Sequence, residues 1–299
     1  MSSAPDGRRG MTSFGPFDIR WSEQGPADGA RVVLLHGIYA GAHAYEWREL
    51  VPLLADTALV RVPDLLGAGA SDRPPLAYTP RILHDEIATI VADAGAAVHV
   101  VASSLTGAYA LRAAAQGVPM ASLTLVTPTG MGSPREAARA ARGHRLFDAF
   151  RATPLGDAFV HVLTSGPSVT WFQRHRTYRA PDVLTREEVT TTRRAGRLPG
   201  AKYLQLAFVF DRLSIDVAPD DVAAVRPTVV WATGQRFVDE AECDRWRDAG
   251  ATVIELPSGL PQVEDAERRE VADHVLDNGG DLAQLSAQVD QLWALLTAA

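Results

Sequence analysis

The stretch VVASSLTGAYAL, residues 100 to 111, runs an apolar strand into a pair of serines and then directly into a helical pattern. A hydroxyl on so sharp a turn stands clear of both elements, where it could attack a carbonyl. Ser104 occupies the turn and Ser103 the variable position before it. A Ser hydroxyl is a poor nucleophile near neutral pH unless a base takes its proton and a third group orients that base. Among the eight His residues, His43 is the one most readily placed near a pocket, and a pKa near neutrality makes it eligible as a base. Tyr39 lies in the same loop. His175, in WFQRHRTY, could hang into the same cleft, and Trp171 could line it. His99 sits within a strand and reads as core.

The elements that must position these residues alternate. Short β-rich apolar runs fall at 17–21, 31–35, 58–64, 97–102, 122–127, 227–232 and 252–256, with helical patterns at 79–93, 105–116 and 239–249. That alternation predicts an α/β fold, a mostly parallel sheet with helices on both faces. Between residues 133 and 226 the alternation stops and helical patches replace it, which predicts a cap over the carboxyl edge of the sheet, where ligands bind in such folds. The expected organisation is a disordered start over 1–11, a core over 12–132 and 227–278, the cap, and a C-terminal amphipathic helix over 279–299. In that last segment Leu282, Leu285, Val289, Leu292 and Leu296 share one helix face, suited to packing on the chain's own body.

The order of several motifs resembles the α/β-hydrolase superfamily over nearly the whole chain: LLHGIYAGAHAYEW (34–47), DLLGAGASDRPP (64–75), VVASSLTGAYAL, LTLVTPTGMG (123–132) and PTVVWATGQRF (227–237). The resemblance implies an oxyanion hole built from the backbone N–H groups of Ile38 and Leu105. It makes His36 a structural turn residue and Asp64, with Gly67 and Gly69, scaffolding. At the nucleophile turn the superfamily's two glycines are replaced by Ala102 and Thr106, so crowding is expected there. The acid that commonly follows the strand 227–232 is missing from Trp231-Ala232-Thr233-Gly234-Gln235, and the alternative acid position after 122–127 is also empty. In the loop that usually carries the base, LPSGLPQVEDAE, Gly259 stands where His belongs, and His274 lies further on in a helical pattern. Asp239 reads as a helix N-cap, with Glu242 completing a capping box.

A hydrolase fold without a hydrolase triad is thus expected to act non-hydrolytically, as a lyase or cyclase on an apolar small molecule bearing a carbonyl or ester. The chain resembles triad-deficient members of bacterial secondary metabolism that eliminate acetate or promote cyclisation in polyketide tailoring. A serine ester hydrolase with a relocated base, or a non-catalytic ligand-binding protein, are the alternatives. The net charge of −7 excludes a polyanion partner. One cysteine, Cys243, excludes an intrachain disulfide and points to a reducing compartment. With no apolar leader and no run of 18 apolar residues, a cytoplasmic chain without a membrane partner is expected. No phosphate-binding loop or His/Cys cluster is visible, so neither cofactor nor metal is expected. The substrate is a small molecule, and the chain is expected to be a monomer or homodimer.

Overall fold

A computed structural model describes residues 7–131, 144–177, 184–233, 240–256 and 274–275. Nine strands form one sheet: β1 (Arg8–Phe14), β2 (Phe17–Gln24), β3 (Ala30–Leu35), β4 (Ala58–Pro63), β5 (His99–Ser103), β6 (Ser122–Val126), β7 (Thr228–Ala232), β8 (Thr252–Leu256) and β9 (His274–Val275). Their spatial order is β1-β2-β4-β3-β5-β6-β7-β8-β9. β1 and β2 pair antiparallel with each other, β2 pairs antiparallel with β4, and every later pairing is parallel. From β3 the chain moves outward to β4 and then returns across β3 to β5. The carboxyl ends of β3 and β5 therefore flank the point where the winding reverses, and the crevice outside them is where open α/β sheets bind ligands.

Side-chain alternation puts the sheet between two apolar layers. Val32, Leu34, Val60 and Val62 pack with Trp47 and with Leu54 of α1 (Leu50–Leu54), while Val33, Leu35, Val100 and Ala102 pack with helices α2 (Pro80–Ala94) and α3 (Ser104–Ala115). In α2 the apolar positions Leu83, Ile87, Ile90, Val91 and Ala94 recur at helical spacing and are buried. Each fully buried Leu or Ile of this kind contributes about 1.5–3 kcal/mol. Thr79 caps the helix by accepting Ile82 N–H, Pro80 starts it, and Gly95 at φ 111° ends it.

Three expectations are corrected. The start is not disordered through residue 11, because Arg8–Phe14 is the edge strand and Thr12 within it is buried. The cap ends before residue 226. After α4 (His144–Ala152), α5 (Pro154–Leu163), α6 (Gly166–Phe172), α7 (Arg186–Gly196) and α8 (Lys202–Val209), the chain rejoins the core. Tyr109 of α3 donates to Leu213 O, Val217 N–H donates to Gly130 O at 2.8 Å, and α9 (Pro219–Val225) packs on α3. His274 lies in a strand, opposite Ile254, not in a helix. Asp239 and the segment 279–299 lie outside the described residues. Glu242, in α10 (Glu240–Asp248), accepts Met131 N–H at 2.8 Å and so ties that helix to the chain after β6.

Candidate active site

The register of β3 against β5 pairs Leu35 with Ala102. Two residues further along each strand, Gly37 therefore lies against the serine pair. A methyl group on Gly37 would meet Ser104 Cβ at 3.3 Å and Ser103 Oγ at 3.4 Å. Ser104 is the first residue of α3 and has φ 53°, a left-handed conformation that costs a non-glycine residue about 1–2 kcal/mol and is kept only where the surroundings fix it. Leu105 N–H follows in the first helical turn, whose N–H groups have no partner within the helix. The turn expected at Ser104 is thus present, with Ile38 buried on the facing loop.

Thr106, read from the sequence as a source of crowding, is a strut. Its buried hydroxyl donates to His36 O at 2.8 Å, joining the turn to the end of β3. His36 has the structural role expected of it. Leu65 N–H donates to its Nε2 at 3.0 Å, so the proton sits on Nδ1, which reaches Gly37 O at 2.8 Å. Asp64 accepts Ala44 N–H and Ala70 N–H, each at 2.7 Å, and binds the two loops together.

His43 precedes the 3-10 turn Ala44–Trp47, contacts Gly41 O through Nδ1 at 3.0 Å, and stacks on Tyr45 with ring centroids 5.8 Å apart. Burial lowers its pKa, opposed by the negative charge of Asp64, so the ring is neutral near neutral pH. Its contacts tie it to the 41–45 loop and not to Ser104. Tyr39 is half-buried in the same loop. Among the described residues, the contacts of Trp171 and His175 are with one another. They stack on one another, 5.3 Å apart, with Trp171 57% exposed on the cap. His99 is only half-buried and meets Ser122 Oγ at 2.8 Å across neighbouring strands, in place of a core position. In the cap, Phe150, Phe159 and Phe210 pack against each other at 5.2 to 6.2 Å, so aromatic residues there join helices.

Sequence reasoning missed Glu46. Its Oε2 accepts Gly37 N–H at 3.0 Å and lies 3.6 Å from the methyl position that Ser103 and Ser104 also face. A carboxylate is therefore built into the site. No spacing rule could have found it, because a Glu before a buried Trp in a short turn reads as ordinary solvated surface.

The cap rests on this same loop. Glu188, buried in α7, accepts from Arg48 at 3.2 Å and from Gln173 at 3.3 Å. Gly41, at φ 83°, is so close to α7 that a Cβ would stand 2.3 Å from Thr192 O. Gly41→Ala should loosen the cap, costing about 1–2 kcal/mol through backbone strain alone. Limited proteolysis is the check, and unchanged cleavage within residues 144–209 would count against the contact.

The turns expected to lack acid and base, at 234–235 and 257–267, fall outside the described residues. Two surface grooves, one lined by Met11, Thr12 and Asp93 and the other by Arg8, Glu23 and Arg61, lie at the β1–β2 edge and share no residue with the turn. Among the described residues no group of three His, Cys, Asp or Glu side chains converges as a metal site, and no helix is long and apolar enough to cross a membrane. Cys243 is buried, and burial pushes its thiol up to about 12, which leaves it unreactive.

A profile of the alpha/beta hydrolase family matches residues 32–274. The chain belongs to this family. Its similarity to two curated relatives covers segments of each. It is 36% identical over 106 residues to the 2-hydroxy-6-oxo-6-(2'-aminophenyl)hexa-2,4-dienoic acid hydrolase of Metapseudomonas resinovorans, covering 34% of this chain and 35% of the relative. It is 46% identical over 70 residues to a cis-3-alkyl-4-alkyloxetan-2-one decarboxylase of Xanthomonas campestris pv. campestris, covering 21% and 23%. The match thus spans about a third or less of each relative. Whole-fold similarity is broader. A serine hydrolase involved in carbazole degradation superimposes with a TM-score of 0.68 at 16% identity, covering 98% of both chains. The unliganded epoxide hydrolase CorEH gives 0.60 at 19% identity, covering 98% of this chain and 99% of that one. At such identities the superpositions establish the fold alone.

Proposed function

We propose that this member of the family is an enzyme acting on an apolar small molecule that bears a carbonyl or ester, by non-hydrolytic chemistry. The reaction is elimination of an acyl or acetyl group, or cyclisation, in natural-product tailoring. One observation carries the reading. The turn at Ser104 is kept in its strained form and braced by Thr106, while the acid and base positions of the sequence hold Gln235 and Gly259.

Elimination needs no ester on Ser104. A base takes a proton from the carbon next to the one bearing the acyloxy group, the C–H electrons become the new double bond, and the C–O bond breaks. The departing carboxylate takes the C–O pair, and Ile38 and Leu105 N–H hold its oxygens. Ser104 donates a further hydrogen bond, and His43, held on the 41–45 loop, is assigned the role of base. A relative similar over 70 residues is named a decarboxylase, which supports a reaction other than hydrolysis. Its hydrolase relatives favour a second reading, a serine ester hydrolase with a relocated base.

Incubation with a fluorophosphonate, followed by intact-mass measurement and peptide mapping, separates the two. The expected result is folded protein without a stoichiometric adduct at Ser104. Full labelling at Ser104 that disappears in Ser104→Ala would put ester hydrolysis in its place.

A further inference from the structure

The carboxylate of Glu46 has no part in the chemistry described above, yet it stands beside Gly37, against which the Ser103–Ser104 turn packs. Its Oε2 is held by Gly37 N–H at 3.0 Å. From there it faces the methyl-sized space above Gly37 that Ser104 Cβ and Ser103 Oγ border at 3.3 and 3.4 Å. Among the described residues no Arg, Lys or His forms a salt bridge with it. The nearby Arg48 is engaged with Glu49 and Glu188. Glu46 is half-buried, so water screens it only in part.

A negative group in this position acts on whatever enters beside Ser104. Ile38 and Leu105 N–H attract an oxygen with partial negative charge, and a ketone or ester oxygen brings little charge to the pocket. A substrate carboxylate brings a full one before reaction begins, beside a Glu46 that has no salt bridge among the described residues, whereas the carboxylate formed by elimination is a product that the same repulsion helps to expel. At an effective dielectric between that of water and that of a protein surface, the repulsion amounts to about tenfold in affinity. A substrate N–H or O–H, in contrast, would find an acceptor in Oε2.

We infer that Glu46 is a specificity-determining residue, which makes the pocket select a neutral ketone or ester and reject a free carboxylic acid. The inference rests on the Ser104 pocket being the reaction site proposed above, but it concerns occupancy and not turnover.

Binding of 2-acetylnaphthalene and of 2-naphthoate, two flat apolar probes that differ in charge, tests it by fluorescence titration near neutral pH. The wild-type chain should bind the ketone about tenfold more tightly than the acid. Glu46→Gln still offers Gly37 N–H an oxygen, so it should leave ketone affinity unchanged and tighten naphthoate until the gap closes to about threefold or less. Ser103→Ala should leave the gap as it is. An equal affinity for both probes in the wild-type chain, absence of binding included, overturns the inference, as does an unaltered gap in Glu46→Gln. Loss of both ligands in Glu46→Gln also overturns it, since Glu46 would then serve only to hold Gly37. None of these results bears on whether Ser104 forms an ester, which the fluorophosphonate experiment reads separately.

Discussion

Arg61→Met should lower the free energy of unfolding by about 3–5 kcal/mol, the cost of removing one partner from a buried ion pair. Arg61 is 9% exposed and donates through Nε to Glu23 at 3.0 Å and through Nη1 to Asp93 at 2.7 Å. Its guanidinium also lies 4.0 Å from the centre of the Trp21 ring. Methionine keeps the volume of the stem but strands Glu23, which is 5% exposed and left, among the described residues, with only the outlying Arg8. Urea denaturation is the measurement. A loss below about 1 kcal/mol would mean that water already compensates Glu23. Adding Glu23→Gln to Arg61→Met should restore most of the loss, because the stranded charge goes with it.

The second large effect is on pH dependence. Glu86, on α2, is fully buried and accepts Leu66 N–H at 2.5 Å, while its other oxygen and the buried Tyr78 hydroxyl have no hydrogen-bond partner among the described residues. Burial pushes the Glu86 carboxyl up to about 8 from an ordinary 4.5, against the opposing hydrogen bond from Leu66. The folded chain therefore holds a proton that the unfolded chain releases. Stability from this group is complete below the unfolded value, falls as pH rises from about 4.5, and is gone above about 8. At about 1.4 kcal/mol per pH unit, softened by water reaching the ionised group, the loss is about 2–4 kcal/mol. Glu86→Gln keeps an oxygen for Leu66 and carries no titrating proton. Its unfolding free energy should lack the fall that Glu86 causes as pH rises toward 8, with the variant gaining on the wild-type chain across that range and the more stable of the two at the upper end. Parallel profiles for the two proteins would exclude Glu86 as the source.

The parallel core was legible because each of its strands is a short apolar run followed by turn residues, and the motif at 100–111 located Ser104 at its turn. Edge strand β1 was not. RRGMTSF offers charges and a glycine, and only its pairing explains them, since Gly10 lies opposite Trp21, where a Cβ would stand 2.3 Å from the indole. The end of the cap was misplaced because Pro219–Val225 is as helical in pattern as the segments before it. What assigns it to the core is a contact with α3, distant in sequence. Within the site, Thr106 was read by size alone, and its hydroxyl turned out to matter more. Glu46 depends on a loop folding back nine residues onto Gly37. Trp171 and His175 were chosen for their chemistry, which carries no information about the face of the cap on which they stand.

The hydrogen bond from Thr106 to His36 has a thermodynamic consequence. It joins the two chain segments that border the pocket through a group inside the core, so their separation is fixed during folding and not by the arriving molecule. Under the function proposed above, a ligand oxygen entering between them would meet dipoles that are already oriented, and little of its binding energy would be diverted into ordering the turn. A glycine at position 106 would give the turn more room, but it would leave that ordering to be done each time a ligand binds.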